Sequence, residues 1–343
     1  MYAKDASYNA AYGTLSSASS LTIRRSPGYS IFSGQTDASV GSSDFLLTSA
    51  DGSVTRTRTG FLTQPRSSIG IRTTGDVLPM FGQVPELIIF NEQLNSAKRK
   101  IVGNYLAAKY NLTAEQDLYA HKSTHGRDVI GIGQEADGNH VESRGLDSLL
   151  INNPSALGNG DYLLIGNDGG GFNTSTDVPI NLLNRWNKVW RDNVTGTPGT
   201  VDMTFYLGLN DFAGDPNNYV VLVENADGNF ANGGTSLHEG GRTYDAINKT
   251  ISFTGVVLGD GNYFTLAVKI PEVSLPNIDY GPGGVGTTSN IEAWLDASKL
   301  TGLNNSELLY SWLDFSGNNN HAEHKKYKDS LADLFELELI VYH

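Results

Sequence analysis

The sequence predicts an all-β protein in which part of one sandwich is closed by a single helix and followed by a second β-sandwich. Three observations predict it. Short apolar runs of strand length recur along the 343 residues, in a composition with 39 glycines and 16 tyrosines. Tight-turn chemistry, Gly beside Asn or Asp, separates those runs at spacings that suit a sandwich. Only one stretch, Phe81 to Leu112, carries the period of a long helix.

That stretch organises the rest. Leu87 to Phe90 is a continuous apolar run rich in β-formers, expected as a strand buried on both faces. Asn91 to Leu94 turns the chain. Asn95 or Ser96 then offers an N-cap oxygen for an unpaired backbone N–H. Leu94, Ala97, Ile101, Tyr105 and Ala108 fall on one stripe of a helix about 20 Å long, with Lys98, Arg99, Lys100 and Asn104 expected outward. Asn111 suits the left-handed position that ends a helix, and Leu112 can pack back on its last turn.

Before that element, residues 1–80 alternate apolar runs (21–23, 29–32, 45–47, 69–71) with turns, and the Thr-Arg alternation of 55–59 reads as an exposed edge. After it, Leu157 to Gly166 has a near copy at Leu258 to Ala267: both place Gly, Asn or Asp, then Gly ahead of Tyr and an apolar strand. We read this as one sandwich with a recurring corner. Val201 to Leu207 alternates with a period of two. The run 251–256 is expected to pair with 263–269 as a hairpin across Gly259 to Gly261. Four segments follow: 1–112, the C-terminal part of a first module; 113–270, a β-sandwich; 271–290, a Pro- and Gly-rich linker; and 291–343, the truncated start of a further module.

Charge and composition narrow the function. A net charge of −13 argues against nucleic acid, which needs clustered Lys and Arg. The basic run Lys98 to Lys100 reads as a solvated helix face. Charged residues are 18% and cysteine is absent, a balance that suits a secreted or cell-surface bacterial protein. No run has the length of a membrane span. No apolar segment follows Met1 to Asp5, so no signal peptide is visible, and we expect the natural N-terminus to lie upstream.

Candidate chemistry is sparse. Trp186 and Trp190 are the best candidates for stacking on a sugar, with core packing as the other reading. Asn225, Asp227 and Asn229 space oxygens two apart around Gly228, as calcium loops do, although Ser236 stands where such a loop carries its bidentate Glu. A plain Asx/Gly turn also accounts for them. Asn167 to Gly171 could ligate a cation or approach a sugar, or form a hairpin loop without a ligand. His121 and His125 have a helical metal spacing but sit in a polar stretch, and a surface loop is expected. Gly131 and Gly133 alone are a weak phosphate-loop signal. No nucleophile elbow occurs, and no Glu-x-Asp-x-x-Glu string, which would supply paired carboxylates for glycan hydrolysis; Glu115 to Asp117 comes nearest.

On these residues the chain resembles a family. PELIIFNEQLNSAKRKIVGNYLAAKYNL (85–112) is similar to the C-terminal strand and helix of laminin-G-like, concanavalin A-like modules of large Bacteroidota surface proteins. Ala293 to Ser298 with Trp312 to Asn320 resembles the opening of such a module. Asp128 to Gly133, Trp190–Arg191, Asp227 to Phe230 and Asp260 to Leu266 resemble the β-rich domain of unknown function that follows it. The resemblance implies a jelly-roll portion, a middle domain and a cut-off next module. It implies a non-catalytic role in adhesion, with an extracellular glycan or glycoprotein as partner. The alternatives are an accessory binding region of a carbohydrate-active enzyme and a purely structural spacer repeat.

Overall fold

A computed structural model describes residues 85–270 apart from 115, 147, 180, 209–214 and 233, the backbone of five strands within residues 8–59, and a few residues between 282 and 323. The chain divides into two compact units, one of residues 1–180 and 184–268, the other of residues 181–183 and 269–343.

In the first unit, β1 (Tyr8–Ala11) pairs antiparallel with β2 (Ser20–Ile23). Next, β3 (Phe32–Gln35), β4 (Ser42–Ser49) and β5 (Gly52–Thr59) form a meander in which β5, carrying the Thr-Arg alternation, is an outer strand among the described residues. The run 69–71 and nearly all of the linker 271–290 lie outside the described residues.

Two helices follow, α1 (Ser96–Tyr110) and the one-turn α2 (Lys122–His125). The strands after them are β6 (Arg127–Glu135), β7 (Gly138–His140), β8 (Ser143–Arg144), β9 (Leu149–Asn152) and β10 (Tyr162–Asn167). Then come β11 (Thr174–Ser175), β12 (Leu182–Trp186), β13 (Trp190–Thr195), β14 (Val201–Tyr206) and β15 (Tyr219–Glu224). The last are β16 (Thr235–His238), β17 (Thr243–Asp245), β18 (Thr250–Val256) and β19 (Tyr263–Lys269). One antiparallel sheet runs β11-β12-β19-β13-β10-β6-β7, with β15 also on β19 and β16 beyond it; the other runs β17-β18-β14-β9-β8. The fold is an all-β sandwich.

Aromatic rings fill the space between the sheets. Trp190 stacks on Phe264 with ring centroids 5.8 Å apart, and meets Phe205 of the opposite sheet edge-on at 5.6 Å. Phe205 in turn contacts Trp186 and Phe253, both at 6.1 Å. Val201, Met203 and Phe205 point inward and the residues between them are half-buried, the alternation that β14 shows in sequence. Burying each such side chain contributes about 1.5–3 kcal/mol to holding the two layers together.

The outer face of the larger sheet is covered by α1. Ala97, Ile101 and Ala108 pack with Tyr119, Val129, Tyr162 and Leu164 in one buried cluster. Glycines make room for it: a Cβ on Gly131 would lie 2.2 Å from Leu164 Cδ2, and one on Gly133 would lie 2.2 Å from the Tyr162 ring. The Gly131–Gly133 pair is therefore a packing feature of β6. The helix begins as expected, with Asn95 Oδ1 accepting the Lys98 N–H at 2.8 Å, and ends at Asn111 in the left-handed region (φ 51°). Its entry is tied down further by Asp137, which accepts the Ser96 N–H at 2.9 Å, and by Asn95 Nδ2 donating to Asn139 O. All these partners belong to the sandwich that follows the helix.

Three expectations are corrected. Leu87 to Phe90 forms no strand and is unpaired among the described residues, and its side chains are 39–80% exposed; the preceding Glu86 accepts the hydroxyls of Tyr105 and Tyr110. An apolar run becomes a buried strand only where a sheet offers it hydrogen bonds. Asn104, expected outward, is fully buried: its Nδ2 donates to Lys100 O and Gln116 O, and its Oδ1 accepts Leu118 N and Tyr119 N. The predicted hairpin of β18 and β19 is absent. β18 pairs with β14 and β17, while β19 pairs with β13 and β15, so the 257–262 turn crosses between sheets and lets Phe253 and Phe264 enter the core from opposite sides.

In the second unit, β20 (Ser311–Trp312) pairs with β21 (Ala322–Glu323), and Leu295 bridges Asp314. The buried Asp314 carboxylate accepts the N–H groups of Trp294, Ser316 and Asn320 and the Ser316 hydroxyl at 2.6–3.1 Å. The two motifs singled out around residues 294 and 314 are thus one hydrogen-bonded constellation.

Candidate functional site

The recurring corner has one geometry in both copies. Gly158 N–H donates to Asp161 Oδ2 while Asp161 N–H donates back to Gly158 O; Gly259 and Asn262 repeat both bonds. Gly160 and Gly261 hold matching positive φ angles of 86° and 84°, which favour glycine. The corners open β10 and β19, the two strands that flank β13.

Side chains of β13 divide between faces. Asp192 points inward and is fully buried. Its Oδ1 accepts Gly261 N–H at 2.9 Å and Asn262 N–H at 3.2 Å, while Oδ2 has no hydrogen-bond partner. Burial pushes this carboxyl up to about 8 against the pull of the two N–H groups, so it carries a proton at neutral pH.

Arg191 and Asn193 point to the outer face, beside α2. Asn193 Oδ1 accepts Ala120 N–H at 2.7 Å and its Nδ2 donates to Asp260 Oδ1 at 2.6 Å, tying three segments together. The Tyr119 hydroxyl lies between His125 O and Arg191 O, 2.9 and 3.1 Å away. Arg191 lays its guanidinium over the Tyr263 ring, 4.2 Å from the centroid, and donates from Nε to Gly261 O at 3.2 Å. Its η nitrogens have no hydrogen-bond acceptor among the described residues. His125 meets the edge of the same tyrosine ring at 5.4 Å, and His121 meets Tyr119 at 5.8 Å.

Both imidazoles are held below the usual histidine range. Burial takes His125 down to about 4, with Asp168 pulling upward and Arg191 and His121 pushing further down. Burial lowers His121 as well, aided by Arg191 and opposed by Asp260. The surface loop expected at 121–125 is therefore a structured corner with His125 buried. Its parts come from three separate segments, so only the histidine pair was visible as a motif.

The other candidates have different surroundings. Trp186 and Trp190 are enclosed between the sheets (0% and 3% exposed), so core packing, not a sugar platform, describes their position. Asn225, Asp227 and Asn229 stand exposed on one loop. Asp227 Oδ1 accepts Asn229 N–H and Asn229 Oδ1 accepts Ala231 N–H, two successive Asx turns. Oxygens engaged this way do not converge as a calcium shell, and no group of three or more His, Asp or Glu able to hold a metal occurs among the described residues. The loop turns instead on Glu224, fully buried at the end of β15, whose carboxylate accepts the N–H groups of Ala226, Asp227 and Gly228 at 2.6–3.0 Å. Its signal in sequence is an acid that closes an otherwise apolar strand. Asn167 and Asp168 likewise accept N–H groups of their own glycine loop.

A family model described as a domain of unknown function (DUF8202) matches residues 98–262, from inside α1 to the turn just before β19. No curated protein and no solved structure matches the chain.

Proposed function

We propose that this chain is a non-catalytic module of a secreted or cell-surface bacterial protein, serving adhesion through a carbohydrate or glycoprotein ligand. The observation that carries this reading is the use of the acidic side chains. Asp161, Asp168, Asp192, Asp202, Glu224, Asp245, Asp260 and Asp314 each accept backbone N–H groups that close turns or join strands. Carboxylates so engaged are scaffold parts, whereas glycan hydrolysis needs two of them facing a sugar across a cleft. Polar character then comes from Asn, Ser, Thr and Gly, which suits a rigid display surface.

A glycan array probed with the whole chain, with and without calcium, tests this. Retention of a defined set of glycans with no release of reducing ends is expected. Turnover in a panel of polysaccharide hydrolysis assays would overturn it. The spacer reading draws support from Asp314: a second hydrogen-bonded constellation after the linker fits a tandem array, and an array with no retained glycan favours it.

A further inference from the structure

Resting on that reading of the chain as a ligand-binding module, we propose that the notch above Gly261 binds the carboxylate of an acidic saccharide, with the Arg191 guanidinium as its fork and His121 as a second donor. A side chain at position 261 would start 3.8 Å from His121 Nε2 and 3.9 Å from Arg191 Nη2, so both nitrogens border one open space that glycine leaves empty. At the first corner, Gly160 has nothing within that range, although its backbone is the same. The cationic pair is thus an addition to the second corner and no requirement of the turn.

Arg191 is preorganised: Nε is fixed on Gly261 O and the plane rests on Tyr263, while the η nitrogens stay open to an acceptor. A planar fork with parallel N–H groups matches a carboxylate in two bonds, and fixing it beforehand reduces the ordering cost of binding. Arg191, His121, Gly261 and Tyr263 are all half-buried, which shelters the contact from full solvent screening. The charged and titratable groups that bear on His121 are Arg191 on β13 and Asp260 on the turn, with Tyr119 against its ring and His125 at the end of α2. Asp260 opposes an anion, but its Oδ1 is held by Asn193 Nδ2 and Val194 N–H. Asp192 faces the opposite side of the sheet as a neutral acid. An incoming carboxylate favours protonated His121, so binding strengthens as pH falls. The net charge of −13 is screened beyond about 8 Å at physiological ionic strength and leaves this local contact intact.

The test is an NMR titration of the whole chain with glucuronate, following the His121 ring and the Gly261 amide, with glucose and sulfate as parallel probes. Glucuronate should shift both signals and raise the His121 pKa, and glucose should not. Arg191→Gln should weaken glucuronate binding about tenfold or more, equal to a loss of at least about 1.4 kcal/mol. Arg191→Lys keeps the charge and should retain an intermediate affinity. His121→Gln should leave binding at high pH but remove its rise at low pH. Equal shifts with sulfate overturn the carboxylate assignment, and glucuronate binding untouched by all three variants overturns the notch. If glucuronate fails while the array retains neutral glycans, the notch falls and the module reading stands. If neither binds, both fall.

Discussion

Asp192 shows how one side chain can set a pH response. Its carboxyl is displaced upward from an ordinary value of 3.8 to about 8 by burial, so the folded state holds a proton that the unfolded chain releases. Stability from such a group is complete below the unfolded pKa and is lost as pH rises through the folded one. His125 acts oppositely, because a depressed imidazole costs stability only as pH falls from 6.5 toward 4. Between about pH 6.5 and 8 the Asp192 response is therefore isolated. Urea midpoints measured across that window should fall with rising pH, and Asp192→Asn, which keeps an acceptor for Gly261 and Asn262, should flatten the slope. An unchanged slope in the variant would place the response elsewhere.

At the scale of elements, α1 is held by polar anchors as much as by its apolar stripe. Asn104 uses both its donors and accepts two backbone N–H groups, which welds the 116–119 segment to the helix and positions Tyr119 beneath the α2 corner. Removing that amide strands two N–H groups in a buried place, where each unsatisfied donor costs about 1–3 kcal/mol. Asn104→Ala should accordingly lower unfolding free energy by about 2–4 kcal/mol, seen as a reduced urea midpoint at constant m-value. A loss below about 0.5 kcal/mol would show that water replaces the side chain freely.

For the whole first unit, the consequence is that the sandwich after the helix needs the helix. Its sheet presents Val129, Tyr162 and Leu164 outward, and α1 is what covers them. A fragment of residues 113–270 should expose that face and aggregate or lose near-ultraviolet circular dichroism. A fragment of residues 85–270 should retain both signal and a cooperative melt. Equal melting of the two would separate α1 from the domain. The family-model match, which begins at residue 98, runs with the longer boundary.

Much of this was written locally. The all-β class, the cap at Asn95, the left-handed stop at Asn111, the alternation of β14 and the twin Gly corners follow from nearest-neighbour chemistry: turn residues with positive φ, capping oxygens, and a period of two. Such signals involve residues a few positions apart and survive in the bare sequence. The tertiary structure alone decided the rest. It sent β18 and β19 to different sheets, left Leu87 to Phe90 without a strand partner among the described residues, and turned Asn104 inward. It also joined His121, Arg191 and Gly261 from three segments around one space. Those outcomes depend on which surfaces meet across dozens of residues, and a hydrogen bond between distant positions leaves no period in the chain that makes it.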